Sequence, residues 1–224
     1  MAFTSPSGTP ASDGSPGGWG IDGPAYGSVV RMAHGAPGWF DATVAVWTAY
    51  GLAVFAALFA LGWWRARRRG PAHVVTALCV PVAVLAAYAV NDAVKLLVRE
   101  DRPCRHLHLA TVEACPPHGD WSFPSNHAAL AVSAAVALWF VSRRLGAMAL
   151  VAAVAMAASR VWVGVHYPHD VLAGAVVGAL VALLLASLTH RHSEALAHLL
   201  GKGRQRVRAG ARDRAGARAP RETA

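Results

Sequence analysis

Twenty-three consecutive residues without a charge, ATVAVWTAYGLAVFAALFALGWW at 42–64, constrain this chain more than any other feature of it. A helix of about 20 apolar residues crosses the hydrocarbon core of a bilayer, where each backbone N–H and C=O must find its partner inside the helix. Four further apolar runs follow, at about 72–94, 125–142, 145–165 and 169–189. The second contains Pro81, which packed neighbouring helices tolerate within a membrane. Over all 224 residues the chain is 55% apolar and 15% charged, a balance that excludes a disordered chain and does not suit a water-facing domain. The expected fold is all-α, an integral membrane helical bundle with about five transmembrane helices spanning 24–190. Arg143 and Arg144 are expected to form the tight link between the third and fourth spans.

Lys and Arg near the span ends set orientation. Four arginines (Arg65, Arg67, Arg68, Arg69) follow the first span, Arg143 and Arg144 follow the third, and nine basic residues lie beyond the fifth. These places fall on one side and hold 15 of the 21 Lys and Arg residues, so that side is expected to be the cytoplasm. The expected location is the cell membrane, multi-pass, with the N-terminus and the segment 95–124 outside and the C-terminus inside. Because the +9 net charge sits beside apolar runs and in a tail, membrane topology explains it better than a nucleic-acid partner. Residues 1–23 read as a flexible polar lead without signal-peptide character. Over 24–40, Tyr26, Val29, Val30, Ala33 and Trp39 have the loose helical spacing of a short interfacial helix. The tail 191–224, rich in Gly, Ala and Arg, is expected to be disordered on anionic headgroups. Cys79 reads as a buried hydrophobe, whereas Cys104 and Cys115 share the outward segment, where an oxidising compartment permits a disulfide.

Polar residues gather at the outward ends of the spans. Lys95 and Arg102 leave the second span in KLLVREDRP; Ser125, Asn126 and His127 open the third in PSNH; Arg160, His166 and Asp170 bracket the junction of the fourth and fifth. Ser125 is a natural N-cap, so the first N–H groups of the third helix would face outward with the positive end of its dipole, a seat for a phosphate. Lys95, Arg102 and Arg160 would surround it, the two arginines able to grip phosphate oxygens in pairs. His166 precedes Asp170 by four residues at a helix start, so the carboxylate can hold one imidazole nitrogen and leave the other as a nucleophile. His127, entering another helix, is then the candidate acid for the leaving oxygen. His169 is expected to be bland, since its side chain diverges from Asp170 by about 100° around the helix.

These residues resemble the type-2 phosphatidic acid phosphatase family, which shares its site with vanadium haloperoxidases. Its motifs K-x6-RP, PSGH and SR-x5-H-x3-D are matched in order by Lys95 to Pro103, Pro124 to His127 and Ser159 to Asp170. The resemblance implies that His166 attacks phosphorus while Asp170 orients it, that His127 protonates the leaving group, and that Lys95, Arg102, Ser125, Asn126 and Arg160 bind the phosphate oxygens. It implies no metal and no cofactor. Asn126 departs from the family's usual Gly, and Asn tolerates left-handed dihedrals best among other residues, so its N–H can still reach the phosphate.

The implied partners are membrane lipids and a lipid phosphate or diphosphate, of which a prenyl diphosphate such as undecaprenyl diphosphate fits bacterial members of the family. Phosphatidic acid, phosphatidylglycerol phosphate and a polyprenyl-phosphoryl sugar phosphate are the alternatives; no oligomeric state is implied. A transporter would place charges near mid-span, whereas the middles of the first, third and fifth spans carry none, and a non-catalytic scaffold would not need every titrating residue of the motifs.

Overall fold

A computed structural model describes residues 19–106 and 110–199, and all regular structure among them is helical. The order is α1 (Trp19–His34), α2 (Gly38–Tyr50), α3 (Leu52–Arg67), α4 (Pro71–Val98), α5 (Pro103–His106), α6 (Asn126–Val141), α7 (Arg143–Trp162) and α8 (Pro168–Arg191). By length and apolarity α4, α7 and α8 can each cross a membrane.

The expected first span is broken. α2 and α3 meet at Gly51 with a bend of 51°, and together they make a fourth candidate span. A Cβ at Gly51 would lie 2.5 Å from the Trp47 carbonyl oxygen and 2.8 Å from Met156 Cε of α7, so the bend leaves no room for a side chain against the last turn of α2. The polar lead also differs from expectation, because it turns helical at Trp19. α1 is not simply interfacial: Tyr26, Val30 and Ala33 are fully buried, and α1 packs on α7 and α8, while Trp39 belongs to α2 and is exposed. Residues 1–18 of the lead and 200–224 of the tail lie outside the described residues, but 193–199 of the tail are helical.

At the expected link between the third and fourth spans, Ser142 alone separates α6 from α7. Its extended backbone (φ −162°, ψ 124°) makes the whole turn, so Arg143 and Arg144 open α7 rather than joining two helices.

The sixth helix is the axis of the bundle. Only 16 residues long, it packs against α3, α4, α7 and α8, and its alanines at 128, 129, 131, 134, 135 and 137 are buried. In lipid, where tails are as apolar as side chains, helices associate by close packing, and small residues permit it. Opposite α6, α8 presents Gly174, Gly178, Ala182 and Ala186, one per turn and all buried. A Cβ at Gly174 would collide with the Ser125 carbonyl, and one at Gly178 with the Ala129 carbonyl. Leu85, Leu97, Val151, Leu172 and Leu180 face outward, the reverse of a water-soluble bundle.

The two ends of the bundle differ chemically. At one, a cavity of about 390 Å³ opens among Arg65, Arg69, His73, Arg143, Arg144 and His190. At the other lie the end of α4, the segments 99–106 and 110–125, the starts of α6 and α8 and the link 163–167 between α7 and α8.

Overpacking a close helix contact costs about 1–3 kcal/mol. Gly178→Val is therefore expected to lower the thermal unfolding midpoint in detergent by several degrees, and Leu180→Val, on the outward face, by far less. Equal midpoints for Gly178→Val and wild type would show that α8 does not contact α6 there.

Candidate active site

The start of α8 does two jobs with one carboxylate. Tyr167 is the N-cap, Pro168 takes the first turn, where its missing N–H costs nothing, and Asp170 is the third helical residue. Asp170 Oδ2 accepts the Tyr167 N–H at 2.8 Å and the Ser122 hydroxyl, and faces His166 Nδ1 at 3.3 Å. The atom that caps the helix also orients the imidazole. On the far side of the ring, Arg102 Nη1 lies 3.2 Å from His166 Nε2. A guanidinium can only donate, so Nε2 carries the lone pair and Nδ1 the proton. Burial pushes His166 down to about 4, outweighing the upward pull of Asp170, so the ring is neutral at physiological pH. A neutral imidazole with its lone pair held among cations is suited to attack an electron-poor phosphorus.

The three expected cations are buried at this end, and each is held by oxygens. Lys95, in the last turn of α4, donates from Nζ to Trp121 O at 2.9 Å. Arg102 donates from Nε to Asp120 O, from Nη2 to Asp120 Oδ1 and from Nη1 to Val165 O, each at 2.9 Å. Burial would raise Asp120, but the hydrogen bond and charge of Arg102 win and hold its carboxyl below the usual range. Arg160, in the last turn of α7, donates from Nη1 to Glu113 Oε2 at 3.1 Å and to the Thr48 hydroxyl. Its Nε is buried with no partner among the described residues. Cys104 and Cys115 are joined by a disulfide, which ties α5 to the segment carrying Glu113, Asp120 and Trp121.

The PSNH corner departs from expectation in two details. Ser125 occupies the N-cap position of α6, but its side chain makes no cap hydrogen bond; Oγ is buried without a partner among the described residues. Its N–H is taken by Asp170 O at 2.9 Å, stitching the starts of α6 and α8 together. Asn126 is the first residue of α6 and is not left-handed, since Arg99 is the one non-Gly residue with positive φ among those described. Its Oδ1 accepts from Asn91 Nδ2 at 2.6 Å, so the side-chain oxygen turns toward α4, and the Nδ2 donors and the backbone N–H are left for a ligand. His127 follows, partly buried, within electrostatic reach of Arg160, His166, Arg102 and Lys95.

Several residues at the site escaped sequence reasoning. Ser122, Thr48, Glu113 and Asp120 carry no local signal, because their side-chain partners lie 44 or more residues away except for Asp120, which is 18 from Arg102. Asn91 had a readable signal, being an uncharged polar residue inside an apolar run. His169 is not bland. Its N–H and Nδ1 meet Asp22 at 2.7 and 2.9 Å, and Nε2 meets Glu100 at 3.1 Å. The divergence from Asp170 is what turns its ring toward α1. Glu100, His169 and Asp170 bring donor atoms within 4.8 Å of one another, the spacing of a metal site, yet both His169 nitrogens already face carboxylates, and the group reads as an ion-pair cluster. Burial raises Glu100.

Residues 76–194 match the PAP2 superfamily. The chain belongs to this family. The matched stretch runs from within α4 past the end of α8, so it takes in Lys95 through Asp170 and leaves α1, α2 and α3 outside. The chain is 30% identical over 145 residues to the undecaprenyl-diphosphatase BcrC of Bacillus subtilis, covering 64% of this chain and 72% of that protein. With a decaprenylphosphoryl-5-phosphoribose phosphatase of Mycobacterium tuberculosis it shares 36% identity over 123 residues, 54% of this chain and 59% of that one. Two crystal structures have the same fold. Aquifex aeolicus LpxE superposes with a TM-score of 0.59 at 19% identity, covering 75% of this chain and 95% of that one. A PAP2-type phosphatidylglycerolphosphate phosphatase from Bacillus subtilis gives 0.57 at 21%, covering 75% and 86%.

The buried His166 has a measurable linkage. An unfolded imidazole takes up its proton near pH 6.5, the buried His166 only near 4, so in that window the unfolded chain binds more protons and stability falls as pH falls. The unfolding midpoint is expected to drop between pH 6.5 and 4 in wild type, and to drop less in His166→Asn. Parallel curves for the two proteins would mean that His166 is not buried and neutral.

Proposed function

We propose that this membrane lipid phosphatase cleaves the terminal phosphate of a prenyl diphosphate through a phosphohistidine. The observation that carries the reading is His166, with Nδ1 on Asp170 and the lone pair of Nε2 turned toward the cations. Nε2 attacks phosphorus; the bond from phosphorus to the leaving oxygen breaks as His127 gives that oxygen a proton. Water then attacks the phosphohistidine, His127 takes its proton, and inorganic phosphate leaves. Lys95, Arg102, Arg160 and the N–H groups at the start of α6 meet the negative charge of the five-coordinate state, and Ser125 Oγ, buried and unpartnered among the described residues, is a further donor. Because cations and amide groups supply this charge, no step calls for a metal.

An apolar groove of about 240 Å³, lined by Phe55, Phe59, Val80, Val84 and Leu130, begins one turn of α6 below His127 and suits an isoprenoid tail. The identity to BcrC over 145 residues favours a diphosphate substrate. The 36% identity to the mycobacterial phosphatase favours a second reading, a monoester on a polyprenyl-phosphoryl sugar. Phosphate release from a panel of both lipid classes separates them.

His166→Ala is expected to abolish turnover and the covalent phosphoenzyme, and His127→Ala to cost at least ~10²-fold in rate. Wild-type activity is expected to survive strong chelators and to be inhibited by vanadate. Substantial turnover in His166→Ala, or recovery from chelator only on adding a divalent metal, contradicts the mechanism.

The catalytic end faces away from the cytoplasm in this reading, because the arginines of 65–69 and 143–144 gather at the other end. In a Cys104→Ser, Cys115→Ser background, a cysteine at His118 is expected to react with a membrane-impermeant reagent in intact cells, and one at Arg204 is not. The opposite pattern places the site inside.

A further inference from the structure

All three cations of the site are held by oxygens from one short stretch, residues 113–121. Arg160 is on the Glu113 carboxylate at 3.1 Å, Arg102 on the carboxylate and carbonyl of Asp120 at 2.9 Å, and Lys95 on the carbonyl of Trp121 at 2.9 Å. The guanidinium side chains are 5% and 6% exposed, whereas their carboxylate partners are 47% and 42% exposed. Burying a cation without a counter-charge is costly, so an anion must sit on these arginines whenever substrate does not. Carboxylate and phosphoryl oxygens make the same charge-assisted contacts to a guanidinium.

Resting on the phosphatase reading, we propose that Glu113 and Asp120 are resident anions of the phosphate site. Substrate phosphoryl oxygens displace them from Arg160 and Arg102, and they return as phosphate leaves. The disulfide at Cys115 keeps them close throughout, so the exchange costs a side-chain rotation rather than an ordering of loop. The carbonyls of Asp120 and Trp121 belong to the backbone and stay in place. Half exposed, the two carboxylates regain water when displaced, while the arginines never lose a counter-anion.

The pair therefore sets how tightly any phosphate-bearing ligand binds, and specifically it weakens the hold on inorganic phosphate. Removing a competing anion is expected to raise affinity by about two- to fivefold for each residue. Asp120→Asn and Glu113→Gln are expected to bind vanadate and inorganic phosphate more tightly by that factor in calorimetry, with the double variant tighter still. Glu194→Gln, beyond the end of α8, removes the same formal charge and is expected to match wild type. If the carboxylates served only to hold the loop, the variants would bind these anions no better or worse, which overturns the proposal.

A second measurement uses wild-type protein alone. Saturating vanadate is expected to increase labelling of Glu113 and Asp120 by a water-soluble carbodiimide, read by mass spectrometry; unchanged or reduced labelling overturns the exchange. Failure of the two ideas looks different. A protein that releases phosphate from no lipid loses the proposed function, while the anion affinities and labelling still decide the exchange. Full lipid turnover with unchanged affinities defeats the exchange alone.

Discussion

Backbone contact between α6 and α8 is the constraint on which the rest depends. Gly174 and Gly178 let α8 rest on the carbonyls of Ser125 and Ala129, with no side chain between. Four residues before Gly174 stands Asp170, whose carbonyl takes the Ser125 N–H, so the two helix starts are fixed to each other within a hydrogen-bond length. His166 and His127, one on each side of that seam, acquire their relation from it. Packing that elsewhere in a membrane protein would serve only stability here sets the distance between catalytic candidates.

A site made of buried cations must solve a charge problem before it can do chemistry. Lys95, Arg102 and Arg160 are buried close together and repel one another in surroundings that screen poorly. The chain answers with carbonyls of 120, 121 and 165 and with two carboxylates. The carbonyls are fixed dipoles that hold the cations in place for a ligand, while the carboxylates are free to give way to it. The same economy recurs at Asp170, which caps α8, accepts Ser122 and orients His166 through one oxygen. At the neighbouring His169, Asp22 pins α1 to the start of α8, and the Tyr26 hydroxyl bonds to Gly164 O at 2.8 Å. The N-terminal helix, outside the family's matched stretch, thereby braces the link that carries His166.

Much was legible in the sequence alone. Runs of apolar residues longer than a globular helix needs determine a membrane bundle, because a bilayer accepts little else. Three spaced motifs single out eight residues, since helix periodicity and the order of the spans bring span ends on one face together. The i, i+4 relation of His166 and Asp170 is local, and local geometry is what a sequence encodes best.

Only the tertiary structure decided what those side chains touch. Gly51 reads as an ordinary residue of an apolar run, and only the folded chain makes it a 51° bend crowded by the Trp47 carbonyl and by Met156 of α7. Asn126 reads as a helix-opening residue beside a phosphate until Asn91, 35 positions earlier, takes its side-chain oxygen. His169 looked idle because helical periodicity says where a side chain points, not what another helix has placed there; α1 supplies Asp22 from 147 residues away. Glu113 and Asp120 are unremarkable letters in a loop, and they become partners of Arg160 and Arg102 only when the chain closes over the site. A sequence fixes residue type and local periodicity, whereas partners distant along the chain are chosen by packing, and buried charge makes that choice chemically consequential.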